Sequence, residues 1–149
     1  MSKNHFKLYA AVFPIIQDQD GNILLHRRQN TGYMDGFWDL AGTGHIDPNE
    51  TATEALIREC QEELGIEIQA EALELVHTVH RTGQDDGFPY IYFYFKVSDF
   101  NGKPQIMEEK KNAELAWFAP DHLPDLMIED RKIAILKALA GIIYQEWRT

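Results

Sequence analysis

The chain has 149 residues, enough for one sizeable hydrophobic core and too few for two comfortable domains, so a single domain over 1–149 is expected. Its 44% hydrophobic and 26% charged residues are the mix of a folded globular protein and exclude the disordered, collagen-like and membrane-spanning classes. With 24 Asp and Glu against 14 Lys and Arg, the formal charge of −10 repels a phosphodiester backbone and argues against duplex nucleic acid as a partner. Cys60, the one cysteine, can form no intramolecular disulfide. Met1 to Lys7 is polar and no long apolar run follows it, so the expected address is cytoplasmic with no membrane partner.

In chain order, Leu8 to Ile16 and Asn22 to Arg27 are β-prone runs separated by Asp18-Gln19-Asp20-Gly21, which predicts a hairpin. Apolar Ala52, Leu56, Cys60 and Leu64 recur every fourth residue, predicting a helix over Thr51 to Leu64. Thr51 and Glu54 fit a capping box at its start, and Gly65 fits a left-handed stop. Leu73 to His80 and Pro89 to Val97 predict a second hairpin around a Gly83 to Gly87 loop. In the latter run, alternation sends Tyr90, Tyr92 and Tyr94 to one face and Phe93 and Phe95 to the other, so the tyrosines could line a pocket or a dimer interface. A short strand is expected at Ala116 to Phe118, before a loop punctuated by Pro120 and Pro124. A second helix is expected from about Asp130 to Tyr144, packing through Ile133, Leu136, Ala140 and Ile143. Strands interleaved with single helices imply an α/β sandwich with a mixed β-sheet between helices.

The chemistry concentrates in the first helix. Glu59, Glu62 and Glu63 stand at i, i+3 and i+4, so three carboxylates emerge close together, and Arg58 alone cannot neutralise them. Either this is a solvated acidic face, or a hard divalent cation that prefers oxygen ligands is held there.

The residues around these carboxylates resemble the Nudix box of the Nudix hydrolase family, which includes MutT-like nucleotide pyrophosphohydrolases. Gly44, Glu50, Arg58, Glu59, Glu62, Glu63 and Gly65 occupy its fixed positions at the required spacings over residues 44–66, with Ile66 at the last aliphatic site and Cys60 replacing an aliphatic. Leu24 to Arg28, Gly32-Tyr33, Gly36, Trp38 and Leu40 resemble the segment preceding the box in nucleotide-type members, and Trp117-Phe118 with Leu123-Pro124 resembles their C-terminal segment. Where many relatives carry Pro-Gly-Gly, this chain has Ala41-Gly42-Thr43-Gly44, with one extra residue after Trp38.

The resemblance implies a Nudix fold and hydrolysis of a nucleoside diphosphate linked to another group, with water attacking phosphorus and Mg²⁺ as cofactor, Mn²⁺ being a substitute. It assigns metal ligation to Glu59, Glu62, Glu63 and the Gly44 carbonyl, a supporting role to Glu50 and Arg58, and proton transfer to Glu59, Glu62 or Glu108 from a later loop. Arg28, or failing it Arg27, is expected on phosphate, with Tyr33, Phe37 and Trp38 available to stack on a base. His26, His45, His77, His80 and His122 lack metal-ligand spacing and are read as structural or surface residues. The expected substrate is a (deoxy)nucleoside triphosphate or a modified nucleotide, a small-molecule partner. Hydrolysis of a nucleotide sugar of GDP-mannose or ADP-ribose type and non-catalytic nucleotide sensing stay open, as does homodimerisation.

Overall fold

The computed structural model describes residues 4–83 and 88–149. Its strands are β1 (Tyr9–Ile16), β2 (Ile23–Arg28), β3 (Trp38–Leu40), β4 (Gly44–His45), β5 (Leu73–Arg81), β6 (Tyr90–Val97), β7 (Asn112–Phe118) and β8 (Tyr144–Trp147), with helices α1 (Ala52–Leu64) and α2 (Glu129–Leu139). A five-stranded mixed sheet runs β4-β1-β6-β5-β8, and a three-stranded antiparallel sheet runs β3-β2-β7.

Strand β1 is the spine of the larger sheet. Residues 11 to 16 are all buried, as expected for a strand covered on both faces. Ala11, Phe13 and Ile15 meet Ala134, Ile135 and Ala138 of α2 in one core cluster. Val12 and Ile16 meet Ala55, Leu56, Cys60 and Leu64 of α1 in another. The mixed sheet is therefore sandwiched between the two helices, and β6 divides in the same way, with Tyr92 and Tyr94 facing α2 and Phe95 facing α1.

The hairpin expected from β1 and β2 does not form. Gly21 makes the turn at φ +81°, yet only Gln17 and Ile23 bridge before the strands part into different sheets. Both edges of β1 are occupied, by β4 and by β6 along its full length, so β2 pairs with β3 and β7 instead. The second expected hairpin is present as antiparallel β5 and β6, joined from Arg81 opposite Tyr90; residues 84–87 of its expected loop lie outside the described residues. Strand β7 begins at Asn112, earlier than the residues' own propensities suggest, because it extends along β2 as far as Arg28.

The second helix is also shorter than expected and turned about its axis. It buries Arg131, Ala134, Ile135 and Ala138, whereas Leu136 and Ile143 are exposed. Gly141 at φ +80° ends it, with its N–H donating to the Ala138 carbonyl and the Ile142 N–H to Lys137, the paired bonds of a Schellman stop. The residues beyond form β8, parallel to β5.

Candidate active site

Helix α1 begins as its sequence requires: the Thr51 hydroxyl accepts from Glu54 N–H while the Glu54 carboxylate accepts from Thr51 N–H, and Gly65 closes the far end at φ +68°. The fixed frame lets one side chain organise the acids around it. Arg58 donates Nε and Nη2 to both oxygens of Glu50, at 2.7 and 2.9 Å, Nη1 to Glu59 at 2.8 Å, and Nη2 to the His45 carbonyl at 3.1 Å. Its Nη1 also lies 3.4 Å from Glu62 and its Nη2 3.4 Å from Asp47. The Arg58 guanidinium hydrogen bonds hold the Glu50 carboxyl down at about 2 and, with Glu50 as the stronger partner, raise the guanidinium's own pKa.

Glu59 and Glu63 differ from Glu50 because burial acts on them. It raises both, partly countered at Glu59 by Arg58. Glu63 is pushed up to about 8, first by burial and then by repulsion from Glu59 and Glu108. The nearby Gly42 backbone N–H partly counters this rise.

These two glutamates form one wall of a cleft of about 890 Å³ that reaches from Thr43 and Gly44 across to Arg28, Tyr33, His26, Asp39 and Arg131, with Tyr90 and Tyr92 on the β6 side. Arg28 is braced at its rim: Nε donates to the Tyr33 carbonyl at 2.9 Å, the guanidinium carbon sits 5.3 Å from the Tyr33 ring centre, and Nη1 reaches Asp39 at 3.3 Å.

Residues 6–139 match the NUDIX domain family. The chain belongs to the Nudix hydrolase family. It is 31% identical over 137 residues to an Escherichia coli K12 protein called CTP pyrophosphohydrolase, covering 91% of this chain and 94% of that one. It is 30% identical to nucleoside triphosphatase NudI of Escherichia coli O1:K1, covering 86% of this chain and 95% of that one. Among solved structures, the MutT NUDIX hydrolase of Burkholderia pseudomallei superposes with a TM-score of 0.77 at 28% identity, covering 92% of this chain and 99% of that chain.

Within this Nudix hydrolase the residues singled out from the sequence separate into groups. Gly44, Glu59, Glu63, Arg28 and Tyr33 line the cleft. Glu62, 53% exposed, stands on the outer flank of α1 beside Arg58. Arg27 is turned away, paired with Glu114 at 2.9 Å. Trp38 packs edge-on against Phe118 with ring centres 5.0 Å apart, and neither it nor Phe37 lines the cleft. Glu108 comes close enough to raise both Glu59 and Glu63 electrostatically. Its segment is tied down from two sides, by Met107 N–H to the Glu63 carbonyl and by Gln29 and Asn30 side chains to the carbonyls of Glu109 and Lys110.

Sequence reasoning missed Asp39 and Arg131. Asp39, with a side chain 1% exposed, lies between Arg28 Nη1 at 3.3 Å and Arg131 Nε at 3.2 Å. No motif spacing links β3 to α2, so nothing in the linear order signals this pair.

The donor set fits a hard divalent cation. Glu59 and Glu63 are half-buried oxygen donors that repel one another, Arg58 pairs with Glu59, and the bare Gly44 backbone comes up against the Glu59 carboxyl where any Cβ would overlap it. Among the described residues no group of three or more His, Cys, Asp or Glu is already gathered at one point; Glu59, Glu63 and Gly44 line the cleft and could offer oxygen donors there, while Glu62 does not line it.

Proposed function

We propose that this Nudix hydrolase is Mg²⁺-dependent and cleaves nucleoside triphosphates or modified nucleotides by water attack at phosphorus. The observation that carries this reading is the pair Glu59 and Glu63, half-buried together in the wall of a cleft that Arg28 also lines. The relatives named for CTP and nucleoside triphosphate hydrolysis support the choice of a triphosphate over a nucleotide sugar.

In this mechanism Glu59, Glu63, Glu62 and the Gly44 carbonyl hold the cation, with Mn²⁺ able to replace Mg²⁺ on the same oxygens. Bound there, the ion supplies neutralisation of the polyphosphate charge and a lowered pKa for water. Arg58 and Glu50 fix Glu59 so that it need not reorganise during the reaction. Arg28 takes a phosphate oxygen, its fork held open by Tyr33 and Asp39. Glu108 receives the proton of the attacking water.

Pyrophosphate or phosphate release from a nucleotide panel, in Mg²⁺ and in chelator, tests the reading. Turnover lost in chelator and in Glu63→Gln supports it, and undiminished turnover in either overturns the metal assignment. Reaction in ¹⁸O-labelled water should place the label in a phosphate product; label in a sugar product points to carbon attack on a nucleotide sugar.

A further inference from the structure

The closed end of the cleft holds polar groups that the proposed chemistry leaves unused. His26 is 6% exposed, lines the cleft, and neither ring nitrogen has a hydrogen-bond partner among the described residues. Asn112 stands beside the ring without hydrogen-bond geometry, its amide N–H₂ donating instead to the Glu108 carbonyl at 3.0 Å. Arg131 is 7% exposed and lines the same end. Its Nε lies 3.2 Å from Asp39 Oδ1 but out of line for a hydrogen bond, and its guanidinium carbon sits 4.2 Å above the Phe13 ring and 5.2 Å from that of Tyr92. Arg131 keeps its ion pair with Asp39, whereas His26 is left without a partner among the described residues; a buried polar group in that state is costly to keep, which points to a partner arriving with the ligand.

We infer that His26 and Arg131 read the edge of the substrate's nucleobase, with Asp39 as the positioning residue for Arg131. This rests on the nucleotide reading above and adds the base class to it. Arg131 can only donate, so it requires acceptors on the base. Burial lowers the His26 pKa, with Asp39 opposing and Arg28 reinforcing, so the ring enters neutral with one donor and one acceptor nitrogen. A guanidinium facing two adjacent acceptors, next to an imidazole nitrogen accepting from an amino group, matches the O2, N3 and N4 edge of cytosine. Uracil turns an N–H toward the guanidinium at the middle position, and adenine offers one ring acceptor where two are needed; guanine presents the same order through N7, O6 and N1–H, so GTP is the second base the pocket would accept. Phe13 and Tyr92, both buried, lie beneath the Arg131 guanidinium and hold it in place at this end of the cleft.

The test compares kcat/KM for CTP, UTP, ATP and GTP, which share one triphosphate, in the wild type, His26→Leu and Arg131→Lys. The wild type should favour CTP over UTP by about tenfold or more, because a site built to pair polar groups rejects a base that leaves them unpaired. Each variant should lose about tenfold on CTP, mainly through KM, while UTP changes far less. Equal losses on all four nucleotides, or an unchanged preference, overturn the inference while leaving triphosphate hydrolysis standing. Calorimetric binding of CMP against ribose 5-phosphate gives a readout that needs no turnover: tighter CMP binding that disappears in His26→Leu supports base reading even if no triphosphate is hydrolysed. Equal binding of the two to the wild type overturns it. Thermal melts confirm folding, and if Arg131→Lys fails to fold the His26→Leu comparison decides.

Discussion

Gly44 and Glu59 fit together so closely that a Cβ on the first would overlap the carboxyl group of the second. Glycine is needed here for space, and its backbone angle is one that other residues could adopt. The consequence is that β4 and α1 lock the glutamate between the Gly44 backbone on one side and the Arg58 Nη1 contact at 2.8 Å on the other. Gly44→Ala should therefore fold but displace Glu59, costing about 10–100-fold in activity, the range found when groups that orient metal ligands are disturbed. A Mg²⁺ titration of initial rates checks this, with a raised Mg²⁺ requirement expected; an unchanged titration curve would show that Glu59 takes no part in holding the ion.

The Glu50 and Arg58 pair predicts a pH effect on stability. The two short bonds from Arg58 lower the Glu50 carboxyl from 4.5 to about 2 in the folded chain. A carboxyl whose folded pKa is depressed stabilises the fold above its unfolded pKa, and that contribution fades as pH falls from about 4.5 toward 2. The Tm of the wild type should thus fall more steeply across this window than that of Glu50→Gln, the two converging near the acid end. A constant Tm difference across the window would mean that the pair is not linked to folding.

What the sequence made legible is what local rules govern. Thr51, Glu54 and Gly65 bound α1 through contacts within three or four residues, so cap, period and stop could be read directly. The β5 and β6 pairing followed for the same reason, since both strands lie close in the chain. The misses were set by competition for edges and by long-range burial. Nothing in residues 9–28 reveals that β6, some 80 residues on, takes the edge of β1 that β2 would otherwise use. Arg131 was hidden because a charged residue on the core face of α2 breaks the apolar period, and its partner Asp39 lies 92 positions earlier. The box acids were visible as a spacing, but their division into half-buried Glu59 and Glu63 and exposed Glu62 depends on how α1 seats against β1 and β4.

Cys60 replaces an aliphatic residue of the box and behaves as one. It is fully buried among Leu56, Leu64 and Ile66, and burial raises its thiol pKa, with Glu63 and Glu59 adding to the rise. Reactivity follows the thiolate, so the native protein should resist thiol reagents at neutral pH and react only on unfolding. The rate of labelling with and without denaturant measures this, and rapid labelling of the native state would contradict the packing. Cys60→Ala should cost roughly 1 kcal/mol in urea unfolding, the smaller end of core truncations because one sulfur is removed.

Glu108 is held within electrostatic reach of Glu59 and Glu63, although it does not itself line the cleft. Its own carbonyl accepts from Lys111 and Asn112 N–H groups at 3.1 and 3.2 Å, which folds the segment into a turn, and Met107 N–H anchors that turn to the Glu63 carbonyl at 3.0 Å. The neighbouring Glu109 is exposed and contributes only its carbonyl, to the Gln29 side chain. If Glu108 takes the proton from water, Glu108→Gln should lower kcat by about 100-fold or more with little change in KM, as removal of a positioned base does, whereas Glu109→Gln should stay near wild type. The pair of variants separates a base from a cation ligand: a loss restored by raising Mg²⁺ would make Glu108 a ligand, and equal effects at both positions would reduce the run to surface charge. A loss confined to Glu108 that persists at saturating Mg²⁺ is the result expected of the turn that carries it to Glu59 and Glu63.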